Sequence, residues 1–199
     1  MKDDSFDSEA PSGESFDDEN ETKNQTDKEK SKNKIEDSTN LDLNLIISIS
    51  KTLLTILEEN KKLPNYKDIL KLQSKMIFSA STIPNISIKD YLIRIQTYSE
   101  IQKSTLIIGL ILIDHICKNA ELILTYYNIH RIIFGAILVS IKFNEDKFYD
   151  NIFYAEIAGI KPKELKLIEL AFLDLVEFKI AVKFDEYEQY QKYLEEKSK

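Results

Sequence analysis

Lys142 and Glu169 are the two charges whose surroundings demand an explanation. Lys142 follows a run from Ile132 to Val139 that holds no polar side chain, and Glu169 sits among Leu165, Leu167, Ile168, Leu170, Ala171, Phe172 and Leu173. A carboxylate in such company needs a partner, or an apolar surface that something else covers. A lysine that closes an apolar helix has a simpler role, since a cation near a helix C-terminus is favourable. Arg94 and Arg131 are also informative, because the chain has 25 Lys and only these two Arg. A guanidinium fork is not replaceable by an ammonium where bidentate geometry matters, so each is expected to hold an ion pair or a helix cap. Asp114 is the candidate partner of Arg94.

Enzyme chemistry finds little support. No nucleophile-plus-base pattern, phosphate-binding loop, glycine-rich dinucleotide turn or metal-ligand spacing occurs. His115 lies on an apolar segment beside Asp114, and His130 sits at a helix start beside Arg131; both read as structural. The single cysteine, Cys117, excludes an intramolecular disulfide framework and leaves no Cys/His zinc site. No catalytic residue, metal or cofactor is expected.

The charge is unevenly distributed. Of the net −7, residues 1–40 carry all, with 13 acidic and 6 basic side chains, whereas residues 41–199 hold 21 of each. The neutral part has no excess of positive charge for a nucleic-acid backbone, so no nucleic-acid partner is expected. Residues 1–40 have Met1, Phe6, Phe16 and Ile35 as their only large apolar side chains. They are expected to form a disordered acidic tail, because they cannot bury enough surface to offset the entropy of ordering. Ser5, Ser8 and Ser15 stand there in acidic surroundings that suit an acidophilic kinase, which makes them candidate phosphorylation sites. The longest apolar run, Leu106 to Ile113, stops at Asp114, too short to span a bilayer. Without an apolar leader, the chain is expected to be intracellular, in the cytoplasm, the nucleus or both, with no membrane partner.

The elements that must hold these residues are helical. Leu41, Leu45, Ile49, Leu53 and either Ile56 or Leu57 recur at helical steps and stop before Pro64. Ser87 with Asp90 predicts a capped helix through Tyr98. Ser104 opens the next, through Leu106, Leu110, Ile113 and Cys117. Asn128 is expected to cap a helix over 129–143, whose Gly135 and Ala136 permit close helix approach. Asn151 to Ala158 predicts a short helix ended by Gly159. Pro162 and Glu164 open another through Leu165, Ile168, Phe172 and Leu175, and Asp185 to Glu196 forms a last, polar one. Phe178 to Phe184 alternates without a partner strand. The fold class is all-α.

In this order and spacing, the motifs resemble a known family. Ser87-Ile88-Lys89-Asp90-Tyr91-Leu92-Ile93-Arg94-Ile95 is similar to the first cyclin-box helix of the phosphate-pathway (P/U-type) cyclins. Leu112-Ile113-Asp114 resembles the second-helix motif, and His130-Arg131 with Val139 to Phe143 the third. Phe143 to Asn151 followed by Tyr154-Ala155-Glu156-Ile157-Ala158-Gly159-Ile160 is similar to the stretch that most distinguishes that subfamily. Glu164-Leu165 and Leu167-Ile168-Glu169 to Phe178 resemble the fifth helix and its exit. The likeness covers about residues 77–193. It departs from the pattern at His115 (usually Arg), at Asn144 and Glu145, and at Lys161 (commonly a Ser or Thr cap).

The resemblance implies a single five-helix cyclin box with extra N- and C-terminal helices: a tail over 1–40, a helical extension over 41–76, the box over 77–182 and a final helix over 183–199. It implies a partner, a cyclin-dependent protein kinase, and neither catalysis nor a small-molecule substrate. The family's lysine and glutamate that contact the kinase's movable regulatory helix map onto Lys142 and Glu169. Phe143 falls where an aromatic packs on the kinase, and Leu173 and Ile180 follow. An activator is the first reading and a degenerate cyclin-fold scaffold the alternative. A cyclin-fold DNA-binding factor fits poorly, for want of a second repeat and a basic face.

Overall fold

Helices supply all the regular structure in the computed structural model, which describes residues 42–119 and 122–197. In chain order they are α1 (Leu43–Lys61), α2 (Tyr66–Gln73), α3 (Ile88–Ser99), α4 (Lys103–Asn119), α5 (Ile129–Asn144), α6 (Asn151–Ala158), α7 (Pro162–Leu175) and α8 (Phe184–Lys197). The acidic tail expected over 1–40, with Ser5, Ser8 and Ser15, lies outside the described residues. Among the described residues no helix is long and apolar enough to cross a membrane.

Local chemistry explains most helix ends. Ser87 Oγ accepts the Asp90 amide at 3.0 Å and caps α3. The same side chain donates to Asp90 Oδ2 at 2.7 Å, so cap and first-turn acid support each other. Asp150 caps α6 through Phe153 N at 2.9 Å, and Gly159 ends it at φ +71°, a conformation that suits glycine. Pro162 opens α7, where its missing N–H costs nothing. Asn128 does something different from the expected cap. It makes no cap bond to α5; its Oδ1 accepts from Thr125 N at 2.8 Å and its Nδ2 donates to Ile123 O at 3.0 Å. The side chain pins the buried turn before the helix, where unpaired backbone groups would be costly.

α5 is the axis of the bundle. Every residue from Ile132 to Ile141 is buried, as expected for a helix that is apolar on all sides. It packs chiefly on α4 and α7, while α6 packs on α7 and α3, and α1 on α3 and α8. Two glycines permit the close crossings. A Cβ on Gly109 would meet Ile137 Cγ1 at 3.2 Å, and one on Gly135 would meet Ile168 Cγ2 and Phe172 Cδ2, both at 3.2 Å. The second crossing matters most here, since it sets α5 against α7. α1 buries Ile46, Ile49, Leu53 and Leu57, and leaves Ile56 at the surface. α2 ends at Gln73; Leu72 is exposed, and Phe78 beyond the helix is buried.

Candidate functional site

The end of α5, the start of α6 and the middle of α7 meet at Lys142 and Glu169. Lys142 stands in the last turn of α5, Glu169 midway along α7, and Asn151 at the first position of α6. Lys142 Nζ lies 2.6 Å from Glu169 Oε1 and donates to Asn151 Oδ1 at 2.7 Å. Asn151 Nδ2 donates to Glu169 Oε2 at 3.0 Å. The side chains are 27% and 15% exposed, so the pair is neither open to solvent nor sealed in the core. In such a setting the ion pair is less screened than on the surface, and the third polar group meets part of the desolvation cost. The carboxylate in an apolar stretch has thus found its partner, 27 residues back in the chain.

Large apolar side chains follow these three residues directly in the chain. Phe143, next to Lys142, is 56% exposed; Ile152, next to Asn151, and Leu170, next to Glu169, are also exposed. Leu173 lies one turn beyond Glu169, half-buried. Phe148, Tyr149 and Phe178 are exposed as well, and the Tyr149 ring stacks tilted on Phe153 at 4.2 Å. Glu177 and Phe178 both adopt positive φ (52° and 57°) at the exit of α7, which turns the chain sharply. Ile180, on that exit segment, is half-buried against the core.

The altered loop after α5 has its own fastening. Asn144 Nδ2 donates to Ser140 O at 2.8 Å, and Glu145 Oε1 accepts from Gln102 N at 3.0 Å and from Thr105 Oγ1 at 2.5 Å. Glu145 therefore ties the segment after Lys142 and Phe143 to the start of α4.

The arginines hold backbone oxygens. Arg94 does not pair with Asp114; its Nη2 donates to Glu156 O at 2.9 Å, near the C-terminus of α6. Asp114 instead pairs with Lys118 one turn on and accepts from Tyr190 of α8. The physical reason is topology: α3 packs on α6, whereas Asp114 on α4 faces α8. Arg131 engages both Nη atoms, donating from Nη1 to Ile77 O at 2.9 Å and Ser79 O at 3.0 Å and pairing through Nη2 with Glu164 at 2.5 Å. His115 Nε2 lies 2.7 Å from Glu186 Oε1, a second link between α4 and α8. His130 Nε2 donates to Ile86 O at 2.9 Å while its Nδ1 is buried without a partner, and burial holds its pKa below the usual 6.5. Burial pushes the Cys117 thiol up to about 12, which leaves it protonated and unreactive. Apart from these, a groove of about 500 Å³ runs between Arg94 and Tyr98 of α3 and Phe153, Glu156 and Ile157 of α6.

Sequence reasoning missed Asn151. The signal was faint: an asparagine directly after a residue that already supplies the cap, at the start of a helix where its own side chain is not needed.

Among the described residues, an all-helical bundle carries a polar triad amid exposed apolar side chains. Comparison with known proteins identifies the family. The family model "Cyclin" matches residues 14–180, and the chain belongs to the cyclin family. It is 34% identical over 149 residues to Cyclin-U4-2 of Arabidopsis thaliana, covering 74% of this chain and 68% of that one. It is 31% identical to Cyclin-P3-1 of Oryza sativa subsp. japonica (63% and 53%) and 34% identical to Cyclin-U4-3 of Arabidopsis thaliana (62% and 57%). These similarities support a P/U-type cyclin. The matched region spans two thirds of the first relative and little more than half of the other two.

Proposed function

We propose that this chain is a regulatory subunit that binds a cyclin-dependent protein kinase and activates it by holding its regulatory helix in the active position. The observation that carries the reading is the meeting of Lys142 and Glu169 at 2.6 Å among exposed apolar side chains. Family membership supports the class of partner. Lys142 and Glu169 make charge-assisted hydrogen bonds to the kinase. Phe143, with Leu173 and Ile180, supplies the apolar area that loses water on association. Activation then needs no chemistry from this chain: a partner that binds only the active arrangement of the kinase shifts the population toward it.

The experiment is affinity purification with identification of the co-eluting kinase, followed by binding and activity measurements on its purified catalytic subunit. Replacing both charges, Lys142→Ala with Glu169→Ala, is expected to weaken binding about a hundredfold, within the range for losing buried charged contacts at an interface. Helical content should be kept. Unchanged affinity in the double variant defeats the assignment. Kinase that binds but gains no activity would favour a scaffold.

A further inference from the structure

Asn151 opens α6, yet the helix start does not use its side chain, because Asp150 supplies the cap. The amide turns to the ion pair instead, accepting from Lys142 Nζ at 2.7 Å and donating to Glu169 Oε2 at 3.0 Å. Only one orientation serves both neighbours. Turned over, the amide would set N–H groups against an ammonium and an oxygen against a carboxylate.

The consequence concerns how the two charges satisfy each other. A freely rotating carboxylate can bring both oxygens to one ammonium, and the pair then closes on itself. Here Oε1 goes to Lys142 and Oε2 to Asn151, so the carboxylate plane is fixed at two points. An ammonium has three N–H donors, and two of Lys142's are engaged; each carboxylate oxygen has two lone pairs, one of them engaged. One donor and two acceptor sites stay unspent, on side chains still 27% and 15% exposed.

We infer that Asn151 is a positioning residue: it keeps the Lys142–Glu169 pair from closing on itself and holds the unspent donor and acceptors ready for a partner's polar groups. The inference rests on reading this pair as the kinase-binding site. It assigns to the start of α6 a role in affinity that the residue does not exert by touching the kinase.

The test uses the full chain and the purified kinase catalytic subunit that elutes with it. Asn151→Asp keeps the acceptor for Lys142 but turns a carboxylate toward Glu169, and Asn151→Ala removes both bonds. Each is expected to lower affinity about tenfold or more, the scale of one lost hydrogen bond to a charged group. The thermal midpoint of the free chain should move by no more than about 3 °C. A merely structural role would lower the thermal midpoint and leave the affinity of the folded chain unchanged, whereas the Lys142 ammonium signal in 15N-resolved NMR reports the bond itself. That signal should be visible through slow water exchange in the parent chain and broadened in Asn151→Ala, which takes an acceptor from the ammonium. Should Asn151→Ala fail to fold, Asn151→Asp carries the test. Parent-like affinity in either folded variant, or an unchanged ammonium signal in Asn151→Ala, overturns the inference. If the Lys142→Ala, Glu169→Ala chain also binds as the parent does, the site reading falls with it; if that chain has lost binding, only the role of Asn151 falls.

Discussion

Single residues in this chain are held by what surrounds them more than by their type. His130 illustrates it. Its Nε2–H is spent on Ile86 O, its Nδ1 has no partner, and the Tyr91 ring meets it edge-on at 5.1 Å. Burial disfavours the imidazolium, so the folded-state pKa lies below 6.5 and the unfolded chain takes up the proton first. As pH falls below about 6.5 the unfolded state therefore gains and stability drops, the loss ending once the folded pKa is passed. Urea midpoints should be lower at pH 5.5 than at pH 7.5, and His130→Gln should remove part of the difference. If His130→Gln retains all of it, another group is responsible. Both arginines stood out in the sequence by their rarity. Their partners did not, because a backbone carbonyl such as Glu156 O or Ile77 O leaves no mark on residue type.

At the scale of the element, periodicity located the helices and packing chose among equivalent faces. Ile56 and Leu57 fit the stripe of α1 equally well as types, and only the docking of α1 on α3 and α8 buries Leu57 to 1% and leaves Ile56 at 37%. The crossing of α5 and α7 positions the two charges, and it depends on the missing side chain at Gly135. Gly135→Val would drive methyl groups into Ile168 and Phe172. It should destabilise the chain by about 1–3 kcal/mol, the usual range for overpacking. A lowered denaturant midpoint with an unchanged slope would bear this out, and a midpoint equal to the parent's would show that α7 can yield.

Across the whole molecule, the terminal helices act on each other. α8 is polar along most of its length and buries only Leu194, yet it packs on both α1 and α4, and Tyr190 and Glu186 bond to Asp114 and His115 of α4. Leu194→Ala should cost about 2–5 kcal/mol, as for other buried leucines. Thermal unfolding would measure it, and a shift no larger than that of an exposed leucine such as Leu72 would mean that α8 contributes little.

Composition and spacing by themselves determined that the chain is helical, where most helices begin and end, and that Lys142 and Glu169 are out of place among apolar neighbours. Those are local facts, set by capping, by the 3.6-residue period and by the cost of a lone buried charge. Tertiary structure alone decided that the two charges meet, that Asn151 is their third partner, and that Arg94 caps α6 instead of reaching Asp114. Each of these depends on which helices cross and at what separation, and that is fixed by the packing of the entire core around α5.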